Sequence, residues 1–156
     1  MDRKRILLDL RNEGKLKGLK PCFVNLNNNN GKIYNGGGGT FIMTLRDNTL
    51  YFQKLSFFIH RLLPGDDFSV NVKRFTEYKI NKKSALSVLY FYDKDGRYLP
   101  IMYQIGTPDT FSTEENISRI IKKLEEKYGL KMEDNNYGEE TVDTEGEEPD
   151  KEVWVR

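Results

Sequence analysis

At 156 residues, with 37% hydrophobic, 12% aromatic and 31% charged residues, the chain is long enough to bury a core of its own as one domain. No apolar run approaches the ~18 residues that a membrane-spanning helix needs, which excludes a transmembrane helix. A single cysteine, Cys22, excludes an intramolecular disulfide, and a single histidine, His60, excludes a histidine-rich metal centre, so neither metal nor cofactor is expected.

The formal charge of +1 hides a split. Residues 133–156 hold ten acidic and two basic residues, a net of −8, which leaves +9 on residues 1–132. So acidic a stretch, with so few apolar residues, cannot bury enough surface to offset the entropy of ordering; residues 132–156 are expected to form a disordered acidic tail. Such a tail either solubilises the chain or screens the basic body, and salt weakens the second effect.

In chain order, Arg3, Lys4 and Arg5 precede Ile6, Leu7 and Leu8 in the manner of a signal peptide, but Asp9 interrupts the apolar stretch and no small-residue cleavage site follows. Ile6, Leu7 and Leu10 fit one face of a short helix that fades at Gly14 or Gly18, giving an N-terminal helix and linker over 1–20. Its apolar face packs on the domain or lies on an anionic membrane. With no leader and one thiol, the expected location is cytoplasmic, with the membrane periphery as the alternative.

Residues 22–26 read as a short strand, and 27–39, rich in asparagine and glycine, as a mobile loop. The glycines lack the following Gly-Lys-Ser/Thr and the helix of a phosphate loop, so no nucleotide site is expected there. Two β-rich stretches, 40–45 and 49–55, flank Asp47-Asn48 as a hairpin. Phe57, Phe58, Ile59, Leu62 and Leu63 form an apolar patch, with His60 packed inside it, that ends at Pro64-Gly65. Period-two alternation over 68–80 predicts a strand with one face inward and a bulge at Arg74-Phe75.

Residues 86–92, apolar on both faces, read as a covered strand. Asp93-Lys94-Asp95-Gly96 then turns the chain into a strand over 97–105. This turn lacks the full oxygen set of a calcium loop. The last element is the clearest helix: Ser112 and Glu115 form a capping box, Ile117, Ile120, Ile121, Leu124 and Tyr128 share a face, and Gly129 suits the position after the helix. The expected fold is mainly β: a bent, antiparallel, seven-stranded, partly open barrel closed by a C-terminal amphipathic helix, with a short N-terminal helix.

The stretch Gly39-Thr40-Phe41-Ile42-Met43-Thr44-Leu45-Arg46-Asp47-Asn48-Thr49-Leu50-Tyr51-Phe52 resembles the opening hairpin of GRAM-type and bacterial pleckstrin-homology-like (PH-like) domains. Residues 68–80 are similar to the next strands of those domains, 86–105 to the later hairpin and 113–128 to the closing helix, so the resemblance spans about 21–129. It implies a PH-like barrel over 21–131 whose members bind phosphoinositides, peptides or partner proteins. Lipid-binding members grip headgroups with several cations around the first hairpin loop. Here that loop offers Lys32, and the later turn Arg46, where a multivalent phosphate needs several converging donors.

Three binding roles follow. The first is docking on a protein or peptide, for which Val153, Trp154 and Val155 supply a tethered apolar stretch. The second is binding to anionic lipid through Lys54, Arg61, Lys73, Lys79, Lys82 and Lys83 on a shared basic face, modulated by the tail. The third, ranked lowest, is single-stranded nucleic acid, since Phe41, Phe52, Phe68, Tyr78 and Phe91 look core-directed. An enzyme is not expected: Asp66-Asp67 reads as an exposed turn pair, and Cys22 has only His60 as a base.

Overall fold

Alternating apolar residues demand a sheet with a covered face, and the computed structural model describes one over residues 3–27, 33–34, 36–56, 61–106 and 111–133, the side chains of residues 111 and 112 excepted. The elements in chain order are α1 (Arg3–Asn12), β1 (Leu19–Leu26), β2 (Gly39–Arg46), β3 (Thr49–Ser56), β4 (Arg61–Leu62), β5 (Phe68–Asn71), β6 (Phe75–Lys82), β7 (Leu86–Asp93), β8 (Tyr98–Gln104), α2 (Phe111–Tyr128) and β9 (Lys131–Met132). The protein is mainly β, with nine strands in an open sheet of order β4-β3-β2-β1-β8-β7-β6-β9, and β5 pairs with β3. Every described pairing is antiparallel except the parallel pair of β6 and β9.

The strand count exceeds the expected seven for local reasons. Residues 68–80 do not form one bulged strand: a 3-10 turn at Val72–Arg74, capped where the Lys73 N–H donates to the Asn71 side chain, separates β5 from β6. That turn carries the chain from β3's side of the sheet to β7's side, with the inward set resuming at Phe75, Tyr78 and Ile80. The other additions are the two-residue strands β4 and β9. The apolar patch at 57–60, His60 included, lies outside the described residues, as do most of the 27–39 loop and the tail from 134 onward.

Two half-sheets, β4-β3-β2-β1 and β8-β7-β6-β9, meet at one described pair, Asn25↔Met102. Along the rest of this joint β1 lacks a strand partner, and α2 fills the gap. The Phe23 N–H donates to the Thr113 hydroxyl at 3.0 Å, and the Asn116 side chain donates to the Pro21 carbonyl at 2.9 Å. Satisfying a buried backbone N–H in this way removes a penalty of about 1–3 kcal/mol. Ile117, Ile120, Ile121 and Leu124 are buried against Phe41, Phe91 and Ile101 in the concave core, each contributing about 1.5–3 kcal/mol. The helix starts at Phe111, one residue before the expected cap Ser112, and ends where Gly129 takes φ +75° and Leu130 N–H donates to the Leu124 carbonyl.

The outer face of β1, β2 and β3 is covered as well. Leu10 of α1 packs with Phe23, Ile42 and Leu55, and Ile6, Leu7, Leu16 and Leu62 surround them. Gln53, buried on this face, accepts from the Lys17 N–H and donates to the Lys15 carbonyl, fastening the linker behind α1. The apolar face of α1 is thus spent on its own domain.

Candidate functional site

The strand registers collect residues into rows that run across the sheet. One row is Asn81↔Val88, Val88↔Met102, Asn25↔Met102, Asn25↔Thr40, Thr40↔Leu55 and Leu55↔Leu62. It marks a rim where β1 leads out toward β2, β3 toward β4, and β6 toward β7. Four of the six cations expected to share a face belong to this rim: Lys54 and Arg61 on one half-sheet, Lys82 and Lys83 on the other. Lys79 stands halfway down the outer face of β6, its ammonium 5.9 Å from the Tyr90 ring centre. Lys73 lies at the opposite rim, in the turn before β6. The six therefore do not form one basic face, because β6 is long enough to carry its two ends to opposite rims.

Lys54 occupies the mouth of the concave side. Its parity along β3 matches Leu50 and Phe52, which point into the core, so its stem crosses core aromatics before its charge reaches water. The ammonium sits 5.8 Å from the Phe41 ring centre. Gly39 makes room for it: a Cβ there would lie 3.0 Å from the Lys54 stem. Beneath it Tyr34 stacks on Phe68 at 4.2 Å and Phe68 on Phe52 at 4.6 Å, closing the mouth with rings. The Tyr34 hydroxyl donates to the Gly37 carbonyl at 2.6 Å, and burial, with the nearby charge of Asp66, raises its pKa.

The carboxylates near this mouth are partly committed. Asp67, expected as half of an exposed pair, is mostly buried at 13% side-chain exposure. It accepts from the Lys54 backbone N–H and pairs with Lys17 at 3.5 Å, whereas Asp66 is exposed. Among the described residues, none of the salt bridges uses Lys54, Arg61 or Lys83. On the outer side of β3 and β4, a groove of about 920 Å³ between α1 and the sheet mixes Arg5, Lys15, Lys17 and Arg61 with Asp9, Glu13 and Asp67.

The opposite rim is built around Asp93. Its buried carboxylate accepts from the backbone N–H groups of Asp95 and Arg97 at 2.9 and 3.0 Å, from Arg97 Nε at 3.1 Å and from Arg74 Nη2 at 3.5 Å. Burial alone would raise its pKa, but the two backbone donors and the Arg97 charge outweigh it and hold the carboxyl below its ordinary value. This aspartate opens the Asp-x-Asp-Gly turn, where a side chain bonding two residues ahead is the expected device. Its role as a counter-ion emerges only with Arg74, 19 residues away.

Three tyrosines that sequence reasoning did not single out line the outer face of β7 and β8. Tyr90, Tyr92 and Tyr98 are half-buried, with ring centres 5.8–6.2 Å apart, beside half-buried Pro100 and Met102. Their period-two spacing was the available signal. Burial first, then the charge and hydrogen bond of Glu133, push the Tyr92 phenol up to about 12.

Cys22 is fully buried and its Sγ donates to the Lys20 carbonyl at 3.2 Å; burial pushes the thiol pKa up, away from the thiolate a nucleophile needs. Among the described residues no group of three or more His, Cys, Asp or Glu side chains could hold a metal ion. No described helix is long and apolar enough to cross a membrane. Val153, Trp154 and Val155 lie outside the described residues.

The chain matches no protein-family model. No curated protein matches its sequence. Among solved structures its fold resembles the hSac2 domain from the human phosphoinositide phosphatase Sac2, at a TM-score of 0.50 and 10% identity over 93% of this chain and 96% of that one. At that identity the likeness concerns the fold alone.

Proposed function

We propose that this chain is a non-enzymatic binding module of the PH-like type whose loop-end rim takes an anionic membrane surface at the membrane periphery. The observation that carries the reading is the gathering of Lys54, Arg61, Lys82 and Lys83 at one rim by strand register. The mainly β architecture, largely antiparallel with one long helix packed at the joint of the sheet, supports the PH-like reading. The buried, poorly ionised Cys22 supports a role without chemistry. The helix α1 takes no part, since its apolar face is already covered.

Each cation held near an anionic leaflet contributes about 1 kcal/mol, so four together give binding that is real, modest and salt-dependent. The test is co-sedimentation of the full chain with phosphatidylcholine vesicles, alone or containing phosphatidylserine or a phosphoinositide, at two salt concentrations. A second full-length protein carries Glu139→Gln, Glu140→Gln, Asp143→Asn, Glu145→Gln, Glu147→Gln and Glu148→Gln, because the −8 of residues 133–156 opposes approach to a negative surface. Binding to anionic but not neutral vesicles, falling with salt, is expected from at least the second protein. No binding by either sinks the reading. The hSac2 domain belongs to a phosphoinositide phosphatase, which motivates including phosphoinositides among the probes.

A second reading, peptide or protein docking, draws on the tyrosine face of β7 and β8. Half-exposed tyrosines beside methionine and proline suit a protein partner, which buries rings and keeps hydroxyls bonded. The single-stranded nucleic acid reading stays lowest, since Phe41, Phe52, Tyr78 and Phe91 are fully buried and cannot stack on bases.

A further inference from the structure

We propose that the outer face of β6, β7 and β8 pairs with the same face of a second copy of this chain about a twofold axis. The inference rests on the docking reading, to which it gives a partner, and does not draw on the loop rim.

Register builds the face. One row across the sheet is Lys131↔Glu77, Glu77↔Tyr92 and Tyr92↔Tyr98. The next is Lys79↔Tyr90 and Tyr90↔Pro100, and one further step in the parallel ladder of β9 sets Glu133 beside Lys79. Glu77 and Lys79 alternate with Tyr78 and Ile80, which belong to the core, so both rows point outward. The Lys79 ammonium beside the Tyr90 ring and the clustered rings of Tyr90, Tyr92 and Tyr98 agree with that direction. Among the described residues α1 covers the outer face of β1, β2 and β3, and α2 fills the concave side, so neither helix covers these two rows.

The charges identify the occupant. Each row carries one acid and one base, in opposite order: Lys131 then Glu77 in the first, Glu133 then Lys79 in the second. None of the four takes part in a salt bridge among the described residues. A twofold axis lying between two such faces, across the strands and midway between the rows, sets each strand over its own copy and exchanges the rows. Glu77 then faces Lys79 of the second copy, and Lys131 faces Glu133. Tyr92 meets Tyr90, and Tyr98 meets Pro100. Every charge finds its opposite and every ring an apolar neighbour. An axis along the strands would instead lay β6 over β8 and set the charges of β6 on Tyr98 and Pro100. The face is self-complementary in one orientation, which a contact between identical copies requires and an unrelated partner does not.

Size sets the strength. The two rows span about 15 Å across the strands and about 7 Å along them. That is well short of the roughly 800 Å² per partner of a standard interface, so the dimer is weak and depends on concentration.

The test is analytical ultracentrifugation of the full chain from about 10 µM to about 1 mM, where a weak dimer becomes populated. The unaltered chain should pass from monomer to dimer across that range. Glu77→Lys, at an exposed position, creates a like-charged pair twice over and should raise the dissociation constant about tenfold or more. Glu77→Lys together with Lys79→Glu restores opposite charges across the axis and should return it to within about threefold of the unaltered chain. Tyr98→Asp should abolish the dimer, with far-UV circular dichroism unchanged. A chain that stays monomeric at every concentration overturns the second copy as the occupant. A dimer indifferent to Tyr98→Asp overturns it too, and removes this face from the docking reading altogether. A double exchange no better than Glu77→Lys alone overturns the axis on which the proposal stands.

Discussion

Both rims of this sheet carry cations, but among the described residues only the turn rim gathers two of them on one buried carboxylate. At the turn rim, Arg74 and Arg97 converge on Asp93, whose carboxylate also holds two backbone N–H groups of its own turn. Those arginines are structural: they neutralise a buried acid and staple β6 to the β7–β8 turn. At the loop rim, Lys54 and Arg61 lie on one half-sheet and Lys82 and Lys83 on the other, with Arg61 also lining the groove under α1, where Asp67 is engaged by Lys17. A cation count does not separate binding surface from scaffold. What sets Arg74 and Arg97 apart from Lys54, and from Lys73 and Lys94 at their own rim, is a described salt bridge to one of the protein's own carboxylates.

The largest expected effect breaks this comparison if it is absent. In the protein carrying the six amide substitutions between 139 and 148, Lys54→Gln, Lys82→Gln and Lys83→Gln together should weaken binding to phosphatidylserine vesicles about 100-fold, from about 1 kcal/mol per charge. Thermal unfolding should move by about 1 kcal/mol or less, chiefly through the lost contact of the half-buried Lys54 ammonium with the Phe41 ring. Next comes Asp93→Ala at the other rim. Losing the acceptor of two turn N–H groups and two arginines should cost about 1–3 kcal/mol in urea unfolding, with vesicle affinity unchanged. An Asp93→Ala protein as stable as the parent would remove the scaffold half of the contrast.

The acid limb sharpens the same point. The Asp93 carboxyl is held below its ordinary value in the folded chain, so its stabilisation is full above the unfolded-state pKa and lost as pH falls through the folded one. The stability gap between the parent and Asp93→Asn should accordingly narrow in acid and stay constant near neutrality. A smaller effect is expected from Lys73→Gln with Lys94→Gln, exposed cations of the turn rim, which should alter vesicle affinity by about twofold at most. The smallest concerns Tyr92, raised from 10.0 to about 12 by burial and by Glu133. Between those values the folded chain keeps a proton that the unfolded chain releases, so stability falls as pH rises through that range. Glu133→Gln should lower the pH at which this phenol ionises in a spectrophotometric titration.

Much of the fold was legible because its signals are local. The hairpin over 40–55 with its Asp47-Asn48 turn, the inward set Phe68, Val70 and Val72, and the α2 face of Ile117, Ile120, Ile121 and Leu124 follow from period-two and helical spacing. The α1 face, Ile6, Leu7 and Leu10, was equally plain, although what it covers was not. The break at 72–74 was anticipated only as a bulge, since alternation reports where a strand's phase slips and not whether the chain leaves the sheet. Of the candidate site, the six cations were identifiable as residues, but their division was invisible. Whether Lys73 or Lys82 joins Lys54 depends on the registers of pairs from β1 to β8, including the single described Asn25↔Met102 joint.

Composition and periodicity by themselves determined a mainly β chain with one strongly amphipathic closing helix, a basic body and an acidic end, because burial pattern and charge are properties of short stretches. The tertiary structure alone decided which cations belong together, which are spent on Asp93, and that β9 runs parallel to β6. Those outcomes rest on strand register and strand direction, which couple residues tens of positions apart through backbone hydrogen bonds that carry no mark in the side chains they align.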